Sequence, residues 1–170
     1  MKELKGSSIA AGLAAGRAVY ITRQGLTIPE HRIPPELVNT ELEAYLSAIH
    51  DTENEVLEYL GKHNLNTSEE DIINAHLEII RDPELKDIIQ KLIREELHNA
   101  AKAISVAYEQ TILFFKSMEN EMFAQRAADF EDVRNQLLRR VLKYNDNPFS
   151  GLGADTIPIF HEIQPSEVSL

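Results

Sequence analysis

The sequence predicts a mainly α protein in which an antiparallel helical bundle is inserted into part of an α/β domain. Residues 34–143 repeat apolar side chains every three or four positions, which is the period of amphipathic helices. Short strand-like segments stand on either side of that stretch, at residues 17–21 and 157–163. A helical block bracketed by strands indicates an insertion into an α/β domain.

The two strand-like segments have different local signals. Residues 6–22 are small and apolar, and their glycines lead into the β-type run Arg17-Ala18-Val19-Tyr20-Ile21, which predicts a turn followed by a strand. The second segment, residues 157–163, contains Pro158. Because proline has no backbone N–H to donate, this residue favours a strand start or a sheet edge.

Prolines and capping residues indicate where the first two helices begin. Pro34-Pro35 precedes the first helix, which is expected to end near Gly61. The sequence Thr67-Ser68-Glu69-Glu70 predicts a capping box that opens the second helix, with Thr67 as the cap and Glu70 bonding back to it.

The remaining helices follow with short links. Asp82-Pro83 predicts that the second helix ends near Arg81 and that a third begins at once. Asn99 is placed to cap a fourth helix that runs to about Ser117, and a fifth is expected from Glu119 onward. Because the links are short, the helices are expected to pack antiparallel as a bundle.

Composition and charge narrow the class of protein. The formal net charge of the 170 residues is -11, which argues against nucleic acid or an anionic membrane as a partner and is compatible with a basic protein surface. The absence of cysteine from the sequence excludes disulfides, thiolate nucleophiles and cysteine-based zinc sites. The charged start of the chain lacks a signal-peptide core, and no apolar run approaches a membrane span, so a cytoplasmic protein is expected.

An acidic edge runs through residues 66–85, which carry six carboxylates and one arginine. Such an edge can steer a cationic partner and speed its encounter with the protein. The alternative is a solvated helix face on which Glu70 and Asp82 serve as capping residues, and charge alone favours this alternative.

A Phe/Met cluster surrounds the junction of the fourth and fifth helices. Its members are Phe114, Phe115, Met118, Met122 and Phe123. Clusters of this kind are more often core than interface. Beside a helix break, however, they can also form an exposed patch of the sort that marks a partner site.

Polar residues on the apolar faces suggest structural roles before catalytic ones. His76 lies on the apolar stripe of the second helix and is expected to be a hydrogen-bonded core residue. Arg126, Asp129 and Asp132 repeat every third position of the fifth helix and should be neighbours.

The sequence lacks a complete catalytic or metal motif. Glu95-x-x-His98 has the spacing of half a di-metal site, but the chain has no second such pair, and no metal is expected. The glycines before the first strand do not form a phosphate loop, and the serines have no nucleophile elbow. These residues do not supply an active site by themselves.

Several short segments, taken in order, carry a family resemblance. They are Gly6-Ser7-Ser8-Ile9-Ala10-Ala11-Gly12-Leu13-Ala14, Ala75-His76-Leu77, Asp82-Pro83-Glu84-Leu85, Met118-Glu119-Asn120-Glu121, Arg126-Ala127-Ala128-Asp129, Leu137-Leu138 and Pro165-Ser166-Glu167. Together they resemble the N-terminal region of the Enzyme I family, the phosphoenolpyruvate–protein phosphotransferases of the bacterial sugar phosphotransferase system. The resemblance covers essentially the whole chain.

The resemblance implies a transfer of phosphate between histidines. In the family, a histidine of a swivelling α/β domain takes phosphate from phosphoenolpyruvate, which is bound with Mg²⁺ on a separate C-terminal barrel. It passes the phosphate to a histidine of the small carrier protein HPr. No cofactor is implied for the present residues, and the parent enzyme is expected to be a homodimer through its C-terminal part.

The implied domains follow from the same resemblance. Residues 1–33 would supply the first strands of the phosphohistidine domain, residues 34–144 the helical HPr-binding domain, and residues 145–170 the return to the α/β domain. The acidic residues would meet basic residues of HPr, the apolar ones its apolar patch, and Arg126 the edge of the surface. The implied partner-binding residues are Glu70, Asp71, Glu78, Ile79, Asp82, Glu84, Leu85, Phe115, Met118, Phe123 and Arg126.

The phosphorylated histidine is expected beyond Leu170. In the family it follows a Gly-Gly-Arg-Thr-Ser-His type segment, and none of the six histidines of this chain has that context, so these residues alone are expected to be inactive. The six are His31, His50, His63, His76, His98 and His161. Gln164, Pro165 and Ser166 occupy the family's Thr-Pro-Ser segment, which supports the active histidine.

Some positions depart from the family pattern. Gln164 replaces the usual threonine, Glu78 stands where the family has an apolar residue, and Gln125 and Glu131 alter the charges that flank Arg126. These departures leave two alternatives open. One is a non-catalytic helical interaction module, and the other is a paralogue from a nitrogen-regulatory or dihydroxyacetone system with a different carrier.

Overall fold

The structure, a computed structural model, describes residues 12–21, 26–63, 66–118, 120–144 and 151–161. The described residues are mainly helical, which confirms the predicted fold class. They divide into a unit built on two short strands and a helical unit.

The strand unit contains β1 (Arg17–Tyr20) and β2 (Thr156–Ile159), which pair in parallel with Val19 opposite Pro158. Parallel strands need a long crossover between them, and here the whole helical unit lies between the two strands in sequence. This arrangement agrees with the predicted insertion, although β2 ends four residues earlier than expected. Gly16 stands directly before β1. A Cβ at this position would lie 2.3 Å from the carbonyl oxygen of Asp155, so a residue with a side chain does not fit there unless the backbone shifts.

The helical unit begins with a short 3-10 turn, Pro35–Leu37, and continues through five helices. These are α1 (Val38–Lys62), α2 (Thr67–Arg81), α3 (Pro83–Arg94), α4 (Ala100–Lys116) and α5 (Glu121–Val141). The helix starts, and the ends predicted for α1, α2 and α4, lie within a few residues of their predicted positions. None of the helices in the described ranges combines the length and apolar composition that a bilayer span requires.

The capping residues explain the helix starts. Asp82 Oδ1 accepts hydrogen bonds from the backbone N–H groups of Glu84 and Leu85, at 2.8 and 3.0 Å, and thereby opens α3 as predicted. Asn99 does the same for α4 through the N–H of Lys102, at 2.8 Å.

The capping box of α2 was predicted one residue too late. Its cap is Asn66, whose side chain accepts from the N–H of Glu69 while the Glu69 carboxylate accepts from the N–H of Asn66. Asparagine is the stronger N-cap residue, so it takes the position before Thr67. Glu70 is therefore not the glutamate of the box, and its side chain is exposed.

The core of the helical unit is contributed by all five helices. Four buried alanines on α4 have small side chains, so neighbouring helices can approach its axis closely. The alanines are Ala100, Ala101, Ala103 and Ala107. Tyr45 of α1 and Tyr108 of α4 are the largest fully buried side chains.

Residues 26–33 belong to the helical unit, whereas the sequence-based division had placed residues 1–33 in the α/β domain. Ile33 is only 4% exposed, and its N–H donates to the carbonyl of Leu97 at 2.8 Å. Asn99 also donates to the carbonyl of Pro29 at 2.9 Å. These contacts join residues distant in sequence, so the local pattern carried no signal for them.

Candidate functional site

A surface cleft lies where α4 ends and α5 begins. The chain reverses there because Ser117 caps α4 and the Asn120 side chain accepts from the N–H of Met122, which opens α5. The reversal places the rings of Phe115 and Phe123 6.1 Å apart in a stacked arrangement. The cleft has a volume of about 380 Å³ and is lined by Phe115, Met122, Phe123, Gln125, Arg126 and Asp129.

The Phe/Met cluster around this cleft is partly buried and partly exposed. Phe115, Met118 and Phe123 are half-buried, whereas Phe114 and Met122 are 58% and 64% exposed. The interpretation of the cluster as an exposed patch is therefore supported over a wholly buried one. Exposed apolar side chains grouped in this way are typical of partner-binding sites.

Two of the apolar residues assigned to partner binding are in the core. Ile79 of α2 is 2% exposed and Leu85 of α3 is 5% exposed, and both belong to the main hydrophobic cluster. A side chain this deeply packed cannot contact a docked protein, so these two assignments are wrong. The sequence placed them by their proximity to acidic residues, whereas their own side chains point inward.

The acidic residues of α2 and α3 are mostly on the surface. Glu70, Asp71, Glu78 and Glu84 are exposed. Asp71 and Glu78 are seven positions apart on α2 and therefore share one face of the helix. Asp82 is half-buried, and one of its carboxylate oxygens caps α3. Its role is therefore that of a capping residue, as the alternative interpretation of the acidic edge predicted.

Arg126 connects the acidic surface of α2 with the apolar cleft. Its Nη2 lies 3.5 Å from Glu78 Oε2, and its Nη1 lies 3.9 Å from Asp129 Oδ2. The guanidinium carbon is also 5.7 Å from the centre of the Phe130 ring, within the range of a cation–π contact. The prediction that Arg126 and Asp129 are neighbours on α5 is confirmed.

His76 lies behind this arrangement, in the contact between α2 and α5. It is 6% exposed, which confirms its expected burial. Its Nε2 lies 3.6 Å from Asp129 Oδ1 and its Nδ1 4.0 Å from Asp132 Oδ2. Asp129 thus faces the buried histidine with one oxygen and Arg126 at the cleft with the other.

Three residues that line the cleft were missing from the sequence-based set of partner-binding residues, namely Met122, Gln125 and Asp129. Gln125 had been noted only as a changed neighbour of Arg126 in the sequence. Met122 lies one helical turn before Arg126 and Asp129 just under one turn after it, so these two lie on the same side of α5 as Arg126. A helical projection around Arg126 would have found Met122 and Asp129.

The described residues contain no group of three or more His, Cys, Asp or Glu side chains placed to hold a metal ion. Glu95 is the C-cap of α3 and Leu97 has a left-handed backbone, so Glu95 and His98 do not have the helical spacing that a di-metal site needs. Gln164, Pro165 and Ser166 lie outside the described residues.

The fold and the surface define a class of protein, namely a helical domain inserted between the parallel strands of an α/β domain. Comparison with known families then identifies the group. Residues 5–126 match the family described as PEP-utilising enzyme, N-terminal, and the chain belongs to this family.

Individual relatives agree with the family. The chain is 28% identical over 174 residues to the phosphoenolpyruvate-protein phosphotransferase of Priestia megaterium, covering 99% of this chain and 29% of the relative. It is also 28% identical over 172 residues to the enzyme of the same name from Bacillus subtilis strain 168, covering 99% of this chain and 30% of that one. The chain therefore spans under a third of the length of these curated relatives.

A solved structure shows the same fold. The NMR solution structure of an Enzyme I protein (nEIt) superposes with a TM-score of 0.72 at 26% sequence identity, covering 92% of this chain and 64% of that chain. Together with the two relatives, this similarity confirms the resemblance to the N-terminal region of Enzyme I.

Proposed function

We propose that the helical unit binds a phosphocarrier protein of the HPr type and positions it for His-to-His phosphoryl transfer in sugar uptake. The observation that carries this proposal is the exposed apolar cleft at the junction of α4 and α5, with Arg126 and Glu78 at its edge. The chain's relatives are named phosphoenolpyruvate-protein phosphotransferase, and this name states that they act on a protein.

The apolar part of the surface would provide most of the affinity. Phe123 and Met122 form the first turn of α5, and the Phe115 ring supports Phe123 from behind. Aromatic and methionine side chains that lose their water on docking dominate the energetics of such interfaces.

The acidic part of the surface would provide steering and register. Asp71, Glu78 and Glu84 are exposed on a protein whose net charge is -11, so a carrier with a basic face is attracted before contact. The revised binding surface omits Ile79 and Leu85, which are buried, and Asp82, which caps α3. It consists of Glu70, Asp71, Glu78, Glu84, Phe115, Met118, Met122, Phe123 and Arg126.

A docking role fits the chemistry of phosphoryl transfer. Such transfer needs little covalent assistance from the protein and depends on holding donor and acceptor in line. The helical unit would contribute that positioning. In this proposal the present residues alone do not take phosphate from phosphoenolpyruvate, whose Mg²⁺-dependent site the family implies on another domain.

A carrier other than the sugar-system HPr is the second candidate. It is favoured by Glu78, whose side chain is 75% exposed and places a charge at the edge of the cleft. A carrier paralogue from a nitrogen-regulatory or dihydroxyacetone system would be recognised by the same kind of surface with different charges.

An NMR titration of the isotope-labelled chain with unphosphorylated carrier tests the proposal. Binding should shift resonances in residues 69–84 and 115–126, and the shifts at a given carrier concentration should decrease as salt is added. The sugar-system HPr and its paralogues are titrated separately, so the preferred carrier is the one with the lowest dissociation constant. If millimolar concentrations of every carrier leave these resonances unchanged, the proposed function is wrong.

A further inference from the structure

Arg126 has two carboxylate partners and therefore one more than its charge requires. Glu78 approaches Nη2 from α2, and Asp129 approaches Nη1 from the same helix as the arginine. Both distances exceed those of direct hydrogen bonds, so neither contact is a tight, geometrically fixed bond.

The two carboxylates differ in what surrounds them. The Asp129 side chain is 31% exposed and is held between Arg126 and the buried His76. The Glu78 side chain is 75% exposed, and among the described residues its ion-pair partner is Arg126, which is itself 32% exposed. If Glu78 moves away, Arg126 keeps Asp129 and the ring of Phe130 as partners.

We propose that docking exchanges the ion pair between Glu78 and Arg126 for one between Glu78 and a lysine or arginine of the carrier. Glu78 then selects a carrier that has a cation beside its apolar patch. This inference rests on the proposed function and adds to it the chemistry by which one carrier is chosen over another.

The exchange explains how a charge at the edge of an apolar cleft can favour docking. A glutamate that stayed paired with Arg126 would present little net charge to a partner, and an unpaired one would lose its water without compensation. Because Arg126 retains a second carboxylate, breaking its contact with Glu78 leaves no uncompensated charge. The new cation would meet a glutamate already located at the cleft.

A double-mutant cycle measures the exchange. Dissociation constants for the preferred carrier are compared among the wild-type chain, Glu78→Gln, Arg126→Met and the double variant. Methionine at position 126 removes the charge but keeps an apolar stem over Phe130. If the contact between Glu78 and Arg126 breaks on docking, the loss caused by Glu78→Gln must be greater when Arg126 is already absent.

We expect Glu78→Gln to weaken binding about two- to fivefold in the wild-type background. In the Arg126→Met background the same change should weaken binding by about twice that factor or more, because no existing ion pair is lost on docking. The salt dependence of the affinity should also become shallower in Glu78→Gln. Glu43→Gln on α1, an exposed glutamate outside the surface, is the matched control and should leave affinity unchanged.

Three outcomes would overturn the inference. An equal or smaller loss in the Arg126→Met background would mean that Glu78 keeps Arg126 in the complex. No loss from Glu78→Gln in the Arg126→Met background would mean that Glu78 does not meet a cation of the carrier. If no carrier binds the wild-type chain, the proposed function itself fails and the inference fails with it. Thermal denaturation of all four proteins shows that each is folded. The Arg126 Nε–Hε resonance of the wild-type chain gives a second readout. Adding carrier should shift this resonance toward the position that it has in the free Glu78→Gln variant.

Discussion

The Nε2 atom of His76 lies 3.6 Å from Oδ1 of Asp129, and this contact joins the interior of the helical unit to its surface. The same aspartate faces Arg126 through its other oxygen, at 3.9 Å. Asp129, which lines the cleft, therefore contacts His76 in the packed interface of α2 and α5. A buried polar contact of this kind orients its neighbours because a misplaced partner would be left without compensation.

His76→Ala should destabilise the helical unit. The substitution leaves a cavity and removes the polar neighbour of Asp129 and of the buried Asp132, so the free energy of unfolding should fall by about 2–3 kcal/mol. Urea denaturation followed by circular dichroism measures this change. Asn74→Ala, at an exposed position of the same helix, is the control and should alter stability by less than about 0.5 kcal/mol. Equal effects of the two substitutions would show that the His76 contacts contribute nothing to stability.

Leu85→Asp should act mainly on stability, and Phe123→Asp mainly on carrier binding. Leu85 is in the core, so a carboxylate there should lower the free energy of unfolding by about 3 kcal/mol or more. Phe123 lines the cleft and is half-buried, so its substitution should cost about 1 kcal/mol of stability but weaken carrier binding at least about tenfold. Thermal denaturation and a carrier titration separate the two effects. A folded Leu85→Asp protein with lost carrier binding would return Leu85 to the interface.

Stability should fall at alkaline pH because of two buried tyrosines. Burial raises the pKa of Tyr45 and of Tyr108 above the usual 10.0, and the nearby Asp82 carboxylate raises both further. In the unfolded chain these phenols ionise near pH 10.0, so the unfolded state then binds fewer protons than the folded one. Their contribution to stability is complete below that pH and is lost above it, by about 1.4 kcal/mol per pH unit for each phenol.

Urea denaturation between about pH 8 and 11 measures this loss of stability. Tyr45→Phe and Tyr108→Phe each remove one ionisable group, so the slope of stability against pH above 10 should be shallower in either variant. The wild-type chain is the reference, since it shares every other titrating group. Parallel slopes in all three proteins would mean that neither phenol is linked to unfolding.

The position of the α2 capping box can be tested by alanine substitution. Asn66→Ala removes the acceptor of the Glu69 N–H and should reduce stability by about 1 kcal/mol, while Thr67→Ala, inside the first turn, should have little effect. Hydrogen exchange of the Glu69 amide provides a direct readout and should accelerate only in Asn66→Ala. Acceleration in Thr67→Ala alone would favour the box that the sequence pattern suggested.

Much of the fold was predictable because its signals are local. The starts of α3 and α4 follow from Asp82 and Asn99, whose side chains bond to backbone groups two or three residues away. The helix bodies follow from the period of their apolar residues. The predicted N-cap of α2 was wrong by one residue because Asn66 and Thr67 both have side chains that can cap a helix. The sequence does not show which of the two adopts the extended backbone of an N-cap.

The candidate site was predictable only in part. The sequence brought together the Phe/Met cluster and the spacing of Arg126 and Asp129, both of which lie within one helix or across one helix break. It could not show that Glu78 of α2 reaches Arg126 of α5, nor that Ile79 and Leu85 turn inward. Those facts depend on how α2 and α3 are rotated about their axes when they pack.

Local sequence patterns are enough to predict the helical unit, the strands that bracket it, the acidic charge and the apolar residues at the α4–α5 junction. Helix packing sets which of those residues are accessible and which meet across helices. Glu78 contacts Arg126 in this way, and His76 contacts Asp129. The physical reason is the separation along the sequence over which each kind of interaction acts. Helix formation and capping depend on neighbours within four positions, whereas burial and ion pairing between helices depend on packing among residues about fifty positions apart, whose arrangement is set by the whole core at once.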